Sequence, residues 1–106
     1  MPKVSVIMGT YNCRNFELLN KSVESILNQT FTDFEFIICD DGSTNETLEF
    51  LKKLEKKDSR IKILSYEKNK GLNNALNTCL SEAKGEYIAR QDDDDISKPL
   101  RLEKEV

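Results

Sequence analysis

Histidine is missing altogether from this 106-residue sequence. Its absence removes Ser-His and Cys-His nucleophilic chemistry, and every histidine-based metal site, from the chain. Cysteine is scarce too: Cys13, Cys39 and Cys79 are odd in number and widely spaced. They form neither a disulfide framework nor a zinc-ligand pattern, and fit small core residues in a reducing cytosol. No apolar run approaches the ~20 residues of a membrane span, and the N-terminal MPKVSVIMGTYN lacks the pattern of a secretion signal. Basic residues form no stripe, since 16 Lys and Arg are scattered among 19 Asp and Glu for a formal net charge of -3. These absences point to a cytoplasmic protein that does not bind nucleic acid and carries no transmembrane segment in this chain.

What is present suits one domain over residues 1–106, with 38% hydrophobic and 33% charged residues. KVSVIM (Lys3 to Met8) is β-branched and apolar and stops at Gly9, which predicts a buried strand. Leu19, Val23, Ile26 and Leu27 recur at helical spacing within Phe16 to Gln29. FEFIIC (Phe34 to Cys39) is a second strand, halted by DDGS. Ser43 and Glu46 match a capping box that predicts the start of a second helix, striped by Leu48, Leu51 and Leu54. IKIL (Ile61 to Leu64) is a short third strand. Leu72, Ala75, Leu76, Cys79, Leu80 and Ala83 then define the clearest helix, which Gly85 is placed to end. EYIAR (Glu86 to Arg90) is the fourth strand, and Ser97 with Pro99 predicts a last helix start. Strands alternating with helices imply right-handed crossovers and a parallel sheet, an α/β fold.

Polar clusters follow three of these strands directly: GTYN (Gly9 to Asn12), DDGS (Asp40 to Ser43) and QDDDD (Gln91 to Asp95). In a parallel sheet all three emerge at the carboxyl edge, where open α/β folds bind ligands. Singly, each has a plainer reading. DDGS is a turn and helix cap, Tyr11 a packing aromatic, Lys70 and Asn69 a helix approach, and the aspartate run a solvated loop. The run is nevertheless costly, because adjacent like charges repel by about 1 kcal/mol even in water. Carboxylates at a strand end suit a hard divalent cation such as magnesium or manganese, completed by substrate phosphates. Tyr11 offers a face for base stacking. Asp40 or Asp41 can accept a hydrogen bond from a ring N–H of that base. Together these features describe a pocket for a nucleoside diphosphate carrying a transferable group.

At these residues the chain resembles a family-two glycosyltransferase with the GT-A fold. The matching stretches are VSVIMGTYN, QTFTDFEFIICDDGSTNET, NKGLNNALNTCLSEAKGEYIARQDDDD and ISKPLRLEKEV, ordered motifs that span essentially the whole chain. Gly9 departs from the family, where Pro is common, and is expected to loosen the first loop without abolishing binding. The resemblance implies a Rossmann-like parallel sheet flanked by helices, the nucleotide-binding half of the GT-A domain. It places Thr10, Tyr11, Asn12, Asp40 and Asp41 around the base, usually uracil, with Lys70 near the nucleotide. The family's D-x-D signature maps onto Asp92-Asp93-Asp94. Asp92 then faces the ribose or donor sugar, Asp94 together with Asp92 serves Mn2+ or Mg2+, and Asp93 fills the variable position. Asp95 matches a frequent extra acid, and the repetition leaves the register open by one residue.

The implied reaction moves a sugar, with inversion, from a nucleotide-sugar donor to a hydroxyl of a saccharide or glycoconjugate acceptor. A UDP-sugar is the expected donor. Family domains are longer than this chain, so the acceptor site and general base are expected beyond Val106. Donor binding without efficient turnover follows, as does self-association through apolar surface left uncovered. The resemblance also implies a place at the cytosolic face of a membrane in the full-length protein.

Two other classes share parts of the pattern. Sugar-nucleotide nucleotidyltransferases carry a glycine- and arginine-rich loop after the first strand, which GTYN is not. Receiver-type signalling domains need an acidic pair after the first strand and a phosphoacceptor Asp after the third. Here the pair follows the second strand, and IKIL leads into SYEK.

Overall fold

The computed structural model describes residues 2–106. Four strands, β1 (Val4–Thr10), β2 (Phe34–Asp41), β3 (Ile61–Tyr66) and β4 (Tyr87–Arg90), form one sheet in the order β3-β2-β1-β4. All three pairings are parallel. The connecting helices are α1 (Phe16–Leu27), α2 (Thr47–Lys57) and α3 (Leu72–Glu82), with a short α4 (Arg101–Glu105) after β4. The α/β sheet flanked by helices is therefore the fold that the alternating pattern predicts.

Alternation along each strand divides the core in two. Val4, Val6 and Met8 of β1, with Phe34, Phe36 and Ile38 of β2, pack beneath α1, α2 and α4. Ile7, Ile37 and Cys39 face the other way and pack against Ala75, Leu76 and Cys79 of α3. Phe36, Met8, Leu19, Ile26 and Leu51 are fully buried, each contributing about 2–3 kcal/mol of transfer free energy. Both buried cysteines sit in the smaller cluster. The Cys79 Sγ lies 3.6 Å from the Met8 carbonyl oxygen and 3.5 Å from that of Ile37, and its hydrogen bond with Cys39, followed by burial, pushes its thiol up. A hydrogen bond from that neighbour holds the Cys39 thiol below its ordinary value.

Element limits differ from expectation where tertiary partners intervene. β1 and β2 run on through Thr10 and Asp41, because Thr10 pairs with Asp40 and Asp41 with Tyr66. The Ser43–Glu46 capping box does not form. Glu46 is the N-cap without a side-chain bond, and α2 starts at Thr47. The Ser43 hydroxyl instead accepts the amide of Asn12, and Asn45 Oδ1 accepts the Thr47 amide. α1 is capped by Asn15, whose Oδ1 accepts from Leu18 N at 3.0 Å. On α3 the buried stripe is narrower than its spacing predicts, because Leu72 and Leu80 are exposed. Gly9 does not loosen a loop: it lies inside β1, where a Cβ would stand 2.8 Å from Leu72 Cδ1 and 3.2 Å from Ala75 Cβ. Among the described residues, no helix is long and apolar enough to cross a membrane.

Candidate functional site

The parallel register brings the ends of all four strands to one edge. There a cleft of about 430 Å³ opens between the β1 and β4 ends and the start of α3. That volume lies within the usual range for small-molecule sites. Thr10, Tyr11, Asp41, Asp92, Asp93 and Asp94 line it, together with Asn69, Gly71, Leu72 and Arg90. Residues separated by more than eighty positions thus share one cavity. Asp95 turns away and lines a neighbouring hollow with Lys98 and Arg101.

Asp41 is the organiser of one wall. It is buried, and its Oδ1 accepts the Lys70 amide at 2.8 Å. Its Oδ2 accepts Asn69 Nδ2 at 2.8 Å and the Gly71 amide at 2.9 Å. An ionised carboxylate has about four acceptor positions, so these three donors occupy most of them and fix Asp41 in the wall of the cleft. Gly71, at φ 98°, takes a backbone conformation that side chains disfavour, and this lets the loop fold onto Asp41. The Lys70 side chain leaves the cleft, and its ammonium lies 5.0 Å from the centroid of the Tyr66 ring. Burial pushes the Tyr66 hydroxyl up to about 12.

The other predicted residues divide into lining and bracing groups. Tyr11 is 46% exposed and lines the cleft. Asn12 adopts φ 44°, and its Oδ1 accepts the Thr44 amide at 2.8 Å. Its side chain therefore clasps the β1 loop to the β2 loop, and Asn12 lines an adjoining hollow shared with Tyr11, Asp93 and Asp94 instead of this cleft. Asp40 is buried beneath, its Oδ2 accepting the Ser43 amide while Oδ1 has no hydrogen-bond partner.

The aspartate run is ordered residue by residue. Asp92 pairs with Arg90 at 3.1 Å, and Asp93 accepts the Thr10 hydroxyl at 2.7 Å. Asp94 is exposed and forms no side-chain hydrogen bond or ion pair among the described residues. Four carboxylates against one guanidinium make the lining strongly acidic. A diphosphate would meet repulsion at such a surface, which a cation between them would offset. Every candidate donor is a hard oxygen, which suits Mg2+ or Mn2+. Among the described residues, no three acidic or thiol groups converge closely enough to enclose a metal alone.

Comparison with known proteins decides the family. The model for "Glycosyl transferase family 2" matches residues 5–106. The chain belongs to glycosyl transferase family 2. Within this family, EpsE of Bacillus subtilis strain 168, a protein named as a glycosyltransferase, is 54% identical over 106 residues, covering 99% of this chain and 37% of EpsE. A chondroitin synthase of Pasteurella multocida is 43% identical over 103 residues, covering 97% of this chain and 10% of the synthase. The family-2 chain thus spans well under half the length of these relatives. Among solved structures, S. aureus TarS 1–349 in complex with UDP-GlcNAc matches at a TM-score of 0.86 and 31% identity, covering 97% of this chain and 30% of that 1–349 chain.

Sequence reasoning missed several residues of the site. Asn69 and Gly71 have no catalytic signature, and only the fold shows that they answer Asp41. Ser22, Ser25 and Gln29 did carry a signal: three polar residues at helical spacing beside the apolar stripe of α1. They are buried or half-buried, and all reach toward the segment after β4.

Proposed function

We propose that the chain forms the donor-binding part of a metal-dependent, inverting glycosyltransferase that uses a UDP-sugar. The observation that carries this reading is the meeting of Tyr11, Asp41 and Asp92 to Asp94 in one cleft at the carboxyl edge of the sheet. Tyr11 stacks on the base, a contact worth about 1–3 kcal/mol in nucleic-acid systems. The remaining acceptor position of Asp41 takes a ring N–H, which uracil and guanine offer and adenine and cytosine do not. Asp40, one strand position earlier, supports this wall from below.

Asp94, with Asp92, would hold Mn2+ or Mg2+. When bound, the cation offsets the negative charge that develops on the departing diphosphate. Thr10 fixes the Asp93 carboxylate, and Arg90 keeps Asp92 from turning out of the cleft. The carboxylate that deprotonates the acceptor hydroxyl is placed outside residues 1–106, consistent with the share of each relative that this chain spans. The acceptor is a saccharide or glycoconjugate, as the named activity of the chondroitin synthase suggests.

Calorimetric titration with uridine, guanosine, cytidine and thymidine diphosphates, with and without Mn2+, tests the reading. Binding of UDP that strengthens with Mn2+ and exceeds that of CDP supports it. Equal binding of all four, or no response to Mn2+, would overturn it.

A further inference from the structure

We infer that Gln91 is a positioning residue whose side-chain amide sets which aspartates of the run face the cleft. The inference rests on the donor-site reading above. Gln91 is 2% exposed although it opens the most acidic segment of the chain. Its Nε2 donates to Ser22 Oγ at 3.0 Å and to the Asp95 carbonyl at 2.7 Å. Its Oε1 accepts Ser97 Oγ at 2.6 Å and Arg101 Nη1 at 2.8 Å. Two donors and two lone pairs are thereby all used, the full capacity of a primary amide. Its own amide nitrogen continues the ladder by donating to the Ile7 carbonyl.

The network grips the backbone on both sides of the acids. Arg101 Nη2 donates to the Arg90 carbonyl at 2.7 Å, and Ser22 Oγ to the Asp92 carbonyl at 2.8 Å. The Asp95 amide closes a turn onto the same Asp92 carbonyl at 3.2 Å. Carbonyls at 90, 92 and 95 are thus fixed from the protein interior. The side chains of Asp92, Asp93 and Asp94 are left toward the cleft, and that of Asp95 toward the far side. Four identical residues in a row carry no side-chain information that distinguishes one register from the next. The distinction comes from what surrounds them: Thr10 and Arg90 hold the Asp93 and Asp92 carboxylates, and the side-chain anchors of the carbonyls at 90, 92 and 95 meet at Gln91. Residues that orient metal-binding carboxylates typically matter about 10–100-fold in metal affinity.

The test uses Gln91→Met, which keeps volume and removes the amide, and the milder Ser22→Ala. Mn2+ affinity in the presence of UDP is read by electron paramagnetic resonance, UDP affinity without metal by calorimetry, and folding by circular dichroism. Gln91→Met is expected to weaken Mn2+ about 10–100-fold, and Ser22→Ala about tenfold. In both, the loss should exceed any loss of metal-free UDP affinity by about tenfold, whereas a merely structural role would lower the two in parallel. If Gln91→Met does not fold, Ser22→Ala decides the matter by the same comparison. Wild-type Mn2+ affinity in the folded variants, or parallel losses, would overturn this inference alone. No Mn2+ binding by the wild-type chain would overturn the metal reading and this inference with it.

Discussion

Thr10 and Asp93 stand 83 positions apart in the chain and are joined by a 2.7 Å hydrogen bond from the Thr10 hydroxyl to the Asp93 carboxylate. The bond ties the end of the central strand to the aspartate run, and Thr10 is nearly inaccessible to solvent. Thr10→Val keeps the shape and deletes the donor. It should cost about 1.5–3 kcal/mol by urea denaturation, as for other hydrogen bonds to charged groups. Thr10→Ser should recover most of that loss.

Asp41 governs the loop before α3 through three N–H donors. Asp41→Asn turns one acceptor oxygen into a donor that faces other donors. A loss of about 2–3 kcal/mol in stability is expected. Hydrogen exchange should show the Lys70 and Gly71 amides losing protection while the β1 and β2 amides keep theirs. Unchanged protection at Lys70 and Gly71 would contradict the role given to Asp41.

Gly9 and Leu72 occupy adjoining space. A Cβ at position 9 would meet Leu72 Cδ1 at 2.8 Å and Ala75 Cβ at 3.2 Å. Leu72 is exposed and can swing aside, which leaves the fixed Ala75 Cβ to yield, so Gly9→Ala should destabilise the fold by no more than about 1 kcal/mol. Leu72→Ala in the same chain should relieve the share of that cost that comes from moving Leu72, so a double-mutant cycle should show a small favourable coupling. Additive losses would mean that the two sites do not compete for space.

Asp94 has the opposite profile, exposed and without an intramolecular partner among the described residues. Asp94→Ala should leave the thermal midpoint almost unmoved, within about 0.5 kcal/mol of stability. It should also abolish the effect of Mn2+ on UDP affinity.

Far from the cleft, Arg60 Nη2 lies 2.8 Å from Asp58 Oδ2, both side chains being less than one-third exposed. The hydrogen bond from Arg60 holds the Asp58 carboxyl below its ordinary value of 3.8. A depressed folded value means that the unfolded chain protonates first as pH falls. The stabilisation is thus complete above the unfolded value and disappears as pH drops through the folded one. Asp58→Asn should cost about 1 kcal/mol at neutral pH and flatten the acid limb of a stability-against-pH profile.

The strands, the helices and the convergence of polar loops were legible because they depend on local pattern and on one topological rule. Val4 to Met8 and Phe34 to Cys39 are apolar enough to be buried on both faces, and the helices between them force parallel pairing. What the pattern concealed depends on partners distant in sequence. Ser43 matches a capping residue in every local respect, yet its hydroxyl is taken by the amide of Asn12, 31 positions earlier. Leu72 continues an apolar stripe by spacing, yet it lies where α3 overhangs the cleft and remains exposed. Asn12 and Lys70 sit in the loops the sequence marks as functional. Their side chains are nevertheless drawn off, one by Thr44 and the other by the Tyr66 ring. Among four successive aspartates only the folded backbone separates Asp94 from Asp95.

The central claim is that one nucleotide touches all these loops together, and two-dimensional amide spectra during a UDP titration with Mg2+ test it most directly. Thr10, Tyr11, Asp41, Gly71 and Asp92 to Asp94 should shift along a single binding curve, while α2 and the amino-terminal edge of the sheet stay still. Shifts confined to one of these loops, or curves with separate midpoints for the Asp41 wall and the aspartate run, would contradict it.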